Sequence, residues 1–217
     1  MKDISFVRYS VETTKAEITS QFVDCYREVF AETPWHEWMR CPKCQKYWGK
    51  KDRLLIESWK FNHCGVELVE FWTRDQVLGD LQHEITAEAS CWLALHQEKV
   101  VGFCYGYPIT INSLEKKLGI EINEKIKGQF GNNTTVAYQD DVGVLTPYRN
   151  KKIAKTMVNL RLKDFINQGL RVGIVRTREK PEPSVTFSWY QKIGYEILAR
   201  YPGDDGRVIL GRNLEDL

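Results

Sequence analysis

No apolar run in this sequence is long enough to cross a bilayer: the longest are of strand length, well short of the roughly 20 residues a membrane-spanning helix needs. The opening residues MKDISFVRYS lack the apolar stretch of a secretory signal. Neither sign of charge dominates. With 31 Lys and Arg against 29 Asp and Glu, a formal charge of +2 offers no broad field to nucleic acid or an anionic membrane, so any anion site must be local. There is no internal repeat and no low-complexity tract, and 217 residues suit one mixed domain, or one domain carrying a small insertion. Cysteine is sparse, at 25, 41, 44, 64, 91 and 104, with one cluster of three and three residues scattered in apolar runs. That pattern favours free thiols and a metal over a disulfide framework. Together these absences describe a chain expected to be soluble and cytoplasmic.

What is present divides the chain by periodicity and turn signals. Residues 4–9 read as a strand, and Thr14 with Glu17 forms a capping box for a helix whose Ile18, Phe22, Cys25, Tyr26, Val29 and Phe30 share a face. From 32 to 72 the period breaks in a stretch rich in Trp and Cys, read as an insertion, and a helix follows over 74–84. Residues 91–95 and 100–107 have the spacing of a hairpin. Residues 109–134 are polar, with a short helical piece at 113–118, and read as a long excursion beside the sheet. A strand at 135–144 leads to a helix at 153–167, stopped by Gly169, with Met157, Val158, Leu162, Phe165 and Ile166 turned inward. A strand at 171–175, a short helix at 184–193 opened by Pro183-Ser184, and strands at 195–200 and 207–210 complete an α/β (α+β) pattern.

Two segments carry chemistry. In VAYQDDVGVLTPYRNKKIAKTM an apolar strand passes through a turn marked by proline into a helix starting at Ile153. A helix N-terminus offers unpaired N–H groups and partial positive charge to a pyrophosphate, and Arg149, Lys151, Lys152 and Lys155 add local charge. An isolated cluster of this kind is also what a solvated basic turn looks like. Further on, Tyr190-Gln191-Lys192-Ile193-Gly194-Tyr195 ends the short helix.

Both segments, in this order, resemble the signature of the GNAT superfamily of N-acetyltransferases. That signature has a strand ending in Val, then Arg/Gln-x-x-Gly-x-Gly/Ala opening a helix, and later Tyr-x-x-x-Gly-Phe/Tyr. Val144 through Ala154 fits the first part in register, except that Lys152 stands where the motif has its first glycine, a residue that admits positive φ. The resemblance covers most of the chain outside the insertion. It implies a GNAT acyl-CoA N-acyltransferase fold over 1–217, a mixed central sheet flanked by helices, with 32–72 as a zinc-ribbon-like insertion. It further implies direct attack of a primary amine on acetyl-CoA in a ternary complex, with no nucleic acid or membrane partner, by a monomer or homodimer.

The same resemblance distributes roles. The backbone of Val142, Gly143 and Val144 binds pantetheine and polarises the thioester carbonyl, and Arg149, Asn150, Lys151, Lys152, Ile153, Ala154 and Lys155 receive the pyrophosphate. Strand alternation puts Tyr138 and Asp140 on one face and Asp141 on the other. Asp140 is then the candidate base, acting through water, and Tyr190 the candidate acid toward the CoA sulfur. Tyr105 and Tyr107 border the acceptor.

In the insertion, Cys41-Pro42-Lys43-Cys44 has the form of a metal knuckle, and Cys64 follows after nineteen residues. A rubredoxin-like pattern would place another cysteine at 61, where the residue is Phe61. His63 is the expected fourth ligand of a structural Zn²⁺, with His36 as the alternative. Cys25, Cys91 and Cys104 read as core residues. A non-catalytic, zinc-stapled binding module on a degenerate scaffold stands as the alternative to an enzyme.

Overall fold

The computed structural model describes residues 3–180, 184–203 and 206–216. The chain runs β1 (Ile4–Arg8), α1 (Ala16–Ala31), β2 (Met39–Arg40), β3 (Tyr47–Trp48), α2 (Arg53–Ser58), β4 (Asn62–His63), β5 (Val66–Glu67), β6 (Val69–Glu70), α3 (Arg74–Glu84), β7 (Ser90–His96), β8 (Lys99–Thr110), α4 (Ile111–Leu118), α5 (Asn123–Phe130), β9 (Thr135–Gln139), β10 (Val142–Val144), α6 (Ile153–Asn167), β11 (Val172–Arg178), α7 (Val185–Lys192), β12 (Glu196–Arg200) and β13 (Arg207–Asn213). No helix among the described residues is long and apolar enough to cross a membrane. The chain packs as two compact units, Met1–Thr86 with Cys91–Cys104 and Val142–Val158, and Ala87–Ser90 with Tyr105–Asp141 and Asn159–Leu217.

In the first unit β1 pairs antiparallel with β7 along its whole length, from Ile4↔His96 to Arg8↔Trp92. Gln97 and Glu98, both left-handed, link β7 to β8 in a two-residue loop, a conformation whose twist suits a hairpin. The first half of β8 also pairs antiparallel with β10, through Val142↔Cys104, Gly143↔Phe103 and Val144↔Gly102. Helix α1 covers this sheet with Phe22, Val23, Cys25, Tyr26, Val29 and Phe30 buried. The expected capping box at its start does not form. Thr14 Oγ1 instead accepts from the Ser10 amide at 3.1 Å, closing the preceding turn, and the helix opens at Ala16 with no side-chain cap.

The insertion belongs to the first unit and has its own core of Met39, Cys41, Trp48, Ile56 and Leu68. Its ends lie together: β2 pairs antiparallel with β6 as well as with β3, Phe71 N donates to Trp38 O at 3.0 Å, and Trp72 Nε1 donates to Glu37 Oε2 at 2.8 Å. Thr73 then caps α3.

In the second unit the later half of β8 pairs with β9 from Tyr107↔Tyr138 to Thr110↔Thr135, β9 runs parallel to β11, and β11, β13 and β12 follow antiparallel. Residues 109–134 are mostly helical rather than an irregular excursion. Ile111, Leu114 and Leu118 on α4 and Ile126 on α5, with Ile122 between, bury against Val136, Tyr138, Ile174 and Ile209. The expected strand at 135–144 is interrupted between Gln139 and Val142. Helix α6 buries Arg161, Leu162 and Phe165 in this unit, whereas Ile166, expected inside, is 40% exposed at the margin of the apolar stripe. Ser184 caps α7 by accepting from Phe187 N; Pro183 lies outside the described residues.

Candidate active site

In the first unit the site elements are β10 and the loop into α6. β8 is the one strand that pairs with β10 among the described residues, so the other edge of Val142–Val144 has no strand against it. Gly143 lets this strand lie close to the core, since a Cβ there would meet the Phe103 ring at 2.5 Å and Val29 at 2.8 Å. The loop that follows is tied to itself. Arg149 Nε donates to Val144 O at 3.0 Å and its Nη1 to Thr33 O at 2.8 Å, while Lys151 Nζ donates to Pro147 O at 2.9 Å and stands over the Tyr148 ring. Two of the expected phosphate contacts therefore already hold the loop's shape.

The missing motif glycine is answered by conformation. Asn150 and Lys152 both have φ 62°, so the lysine adopts the left-handed backbone that glycine would supply. Left-handed residues alternating along a loop make the kind of backbone concavity that cups anions. The first amides of α6 precede its first helical bond, from Thr156 N to Lys152 O at 3.0 Å. The side chains of Lys152 and Lys155 are exposed and carry no hydrogen bond or ion pair with the described residues. His96, for which the sequence suggested no role, shares a hydrogen bond of 2.9 Å between its Nδ1 and the Tyr148 hydroxyl.

The second unit presents the carboxylates. Continuing the Tyr107↔Tyr138 ladder would set Tyr105 opposite Asp140, but Tyr105 N donates to Asp141 O at 3.0 Å instead. One extra residue is thus bulged out, and Asp140 and Asp141 do not point to opposite faces as simple alternation implies. Both reach hydroxyls of the same face of β8: Tyr107 to Asp140 Oδ2 at 2.9 Å, Tyr105 to Asp141 Oδ2 at 3.1 Å. Gly106 permits the crowding, because a Cβ there would fall 2.3 Å from Tyr138 O. Asp140 also pairs with Lys117 from α4, Nζ to Oδ2 3.1 Å, with the carboxylate side chain 9% exposed. Burial and the nearby Asp140 push the Tyr138 phenol well above its usual pKa. Burial works against the charge of Arg176, but Tyr138, Tyr201, Asp140 and Asp141 more than offset it and raise its pKa.

Behind this face lies a buried network that the sequence did not announce. Arg161, fully buried, donates from Nη1 to Tyr105 O at 2.6 Å and to Asp141 O at 3.2 Å, and from Nη2 to Gln139 Oε1 at 2.9 Å. Gln139 Nε2 donates in turn to the Tyr195 hydroxyl. Tyr195 meets Tyr190 edge to face at 5.0 Å, and Trp189 flanks Tyr190 at 4.9 Å, so the candidate acid is 1% exposed in a cage of aromatic rings. Burial, then the neighbouring Tyr190, holds the Tyr195 phenol above its usual range. The signal for Arg161 was its spacing, four residues from Met157 and from Phe165 on the buried stripe.

A family model described as the acetyltransferase (GNAT) family matches residues 18–195. The chain belongs to the GNAT acetyltransferase family. No curated protein matches this GNAT chain in sequence. Among solved structures it is similar to the PaiA N-acetyltransferase of Thermoplasma acidophilum in complex with coenzyme A (17% identity, 97% of this chain and 98% of that one, TM-score 0.54). It is also similar to Arabidopsis thaliana NAA60 in complex with acetyl-CoA (13%, 98% and 99%, 0.55). A third likeness is to a Corynebacterium glutamicum protein described as histone acetyltransferase HPA2 and related acetyltransferase (15%, 97% and 96%, 0.56). At these identities the structures bear on the fold, which in this GNAT protein is the mixed sheet with flanking helices described above.

The insertion of the GNAT chain draws three thiols together. Cys41, Cys44 and Cys64 Sγ atoms lie within 4.8 Å of one another, close to the roughly 3.8 Å that tetrahedral zinc with ~2.3 Å bonds imposes. Cys41 starts the turn of the β2–β3 hairpin, and Cys64-Gly65, both left-handed, forms the turn between β4 and β5. Burial raises the Cys41 thiol, but the amides of Cys44 and Lys43 outweigh it and hold the pKa below the ordinary value. The ring of His63 lies outside this group, against Trp48 and Trp59 with centroids 4.9 and 5.6 Å away, and its carbonyl accepts from Cys41 Sγ at 3.7 Å. His36 also lies outside it, its Nδ1 buried without a hydrogen-bond partner among the described residues. Phe61 packs on the small core at the position where a fourth cysteine is absent.

Proposed function

We propose that the chain transfers an acetyl group from acetyl-CoA to a primary amine by direct attack within a ternary complex. The observation that carries this is the strand Val142–Val144, with one edge free of other strands among the described residues, running into a left-handed basic loop and the N-terminus of α6. An extended pantetheine needs such an edge and a pyrophosphate needs such a loop. Val142, Gly143 and Val144 offer backbone groups to the first. The amides of Asn150, Lys151, Ile153 and Ala154, with the ammoniums of Lys152 and Lys155, serve the second, while Arg149 holds the loop in shape.

In the reaction the amine nitrogen forms a bond to the acetyl carbonyl carbon as the C–S bond breaks. The amine proton leaves through water toward Asp140, whose Oδ2 already holds Tyr107 and Lys117, and the departing thiolate takes the Tyr190 hydroxyl proton. A backbone N–H of Val142–Val144 stabilises the oxyanion. Titration of the purified protein with acetyl-CoA is expected to give saturable heat with one site per chain, and an amine panel to release CoA thiol. No heat at high micromolar acetyl-CoA would remove this reading.

The three thiolates are proposed to hold one structural Zn²⁺, which joins the two hairpin turns of the insertion; the fourth position falls to water or to His63 after its ring leaves the tryptophan slot. The reading puts the chain in a reducing cytoplasm, where thiolates persist. Elemental analysis is expected to find about one zinc per chain, and traces only in Cys41→Ser. His63→Ala that retains full zinc identifies water as the fourth ligand, and zinc far below one equivalent in the unmodified protein ends the proposal.

A further inference from the structure

The sheet face that carries Asp140 also carries two cations that acetyl transfer alone does not require. In the parallel ladder of β9 and β11, Ile174 pairs with Tyr138 and Val175 with Gln139, and Arg176 and Asp140 each follow directly on that last rung. Alternation places Arg176 on the face of Ile174, and its partner across β13, Ile209, packs in the same cluster as Ile174 and Tyr138. Lys117 reaches this face from α4, its Nζ 3.1 Å from Asp140 Oδ2 and 5.6 and 5.8 Å above the Tyr107 and Tyr138 rings. The Arg176 side chain makes no hydrogen bond or ion pair with the described residues, although it stands in the field of Asp140 and Asp141.

The charges on this face therefore differ in how they are met. Asp140 is matched by Lys117 and a phenol, Asp141 by the Tyr105 hydroxyl, and Arg176 by no carboxylate within pairing distance among the described residues. A purely cationic acceptor, such as a polyamine, would bring further positive charge against Lys117 and Arg176. An amine with its own carboxylate brings the group Arg176 lacks, in the planar form that a guanidinium binds through two hydrogen bonds.

We propose that the acceptor is a small aminocarboxylate, an amino acid or close analogue, whose carboxylate is held by Arg176 while its amine faces Asp140 and Asp141. The proposal rests on the acetyl-transfer reading above. Its test is thiol release from acetyl-CoA with the standard L-amino acids, each beside its amide and its decarboxylated amine. At least one acid is expected to exceed its two partners in kcat/KM by about tenfold or more, the gain of a charge-assisted pair. In Arg176→Gln the ratio of acid to amide is expected to collapse toward one, and Arg176→Lys to recover part of it. Equal or better turnover of amides or amines overturns the carboxylate subsite while acetyl transfer stands, as does an unchanged ratio in Arg176→Gln. Acetyl-CoA binding without turnover of any member also overturns the subsite. Failure of acetyl-CoA to bind at all is the separate result that removes the reading beneath it.

Discussion

Tyr190→Phe is expected to lower kcat about a hundredfold while acetyl-CoA binds almost as before, the range that loss of a positioned proton donor produces. The substitution removes one oxygen and leaves the ring between Trp189 and Tyr195, so the packing of α7 on β11 and β13 is kept. What disappears is the proton for the departing thiolate, which then must come from water. The two measurements are thiol release at saturating acetyl-CoA and an equilibrium titration of the same preparation. Full turnover in the variant would end the assignment of Tyr190 as acid. Loss of turnover and of binding together would show instead that the hydroxyl holds structure.

Arg161→Ala is expected to destabilise the chain by about 3–5 kcal/mol, the cost of breaking a buried, charge-assisted network on one side only. Three acceptors, Tyr105 O, Asp141 O and Gln139 Oε1, lose a donor from a residue with no solvent exposure, and a cavity replaces the side chain. Arg161→Lys should recover part of this, since an ammonium reaches one or two of these acceptors but cannot fork among all three. Urea unfolding at constant slope reports the difference. A loss below about 1 kcal/mol would mean that water enters and replaces the guanidinium.

The parts of this molecule that were legible in the sequence are those whose spacing is enforced locally. Val144 to Ala154 and Tyr190 to Tyr195 could be read because a strand, turn and helix N-terminus fix their own register, and the helix at 153–167 because an apolar stripe repeats with the helical period. The misreadings share a different cause. Whether Asp141 turns to the face of Asp140 is decided by Tyr105 and Gly106 on another strand, through a bulge that no local pattern announces. Thr14 had two backbone amides to choose from, and the Ser10 turn took it. Helices α4 and α5 and the link between them carried apolar residues at 111, 114, 118, 122 and 126, but intervening Lys, Glu, Asn and Gly diluted the signal. Arg161, Lys117 and Arg176 were passed over because an isolated charge in a periodic element is ordinarily a solvated one.

The insertion leaves the chain where it enters it. With Glu37 bonded to Trp72, Trp38 to Phe71 and β2 to β6, the residues between form a closed loop whose base is one rung of a ladder wide. To the rest of the first unit, the span from α1 to α3 is as short as a tight turn, however many residues the excursion contains. Length and content inside that base, Lys50 with its ion pair to Glu28 of α1 apart, are consequently expected to tolerate deletion, exchange or graft without a shift in either helix. The segment has its own core to stabilise it, and beyond its base it touches α1 through the Lys50–Glu28 and Arg27–Glu70 ion pairs.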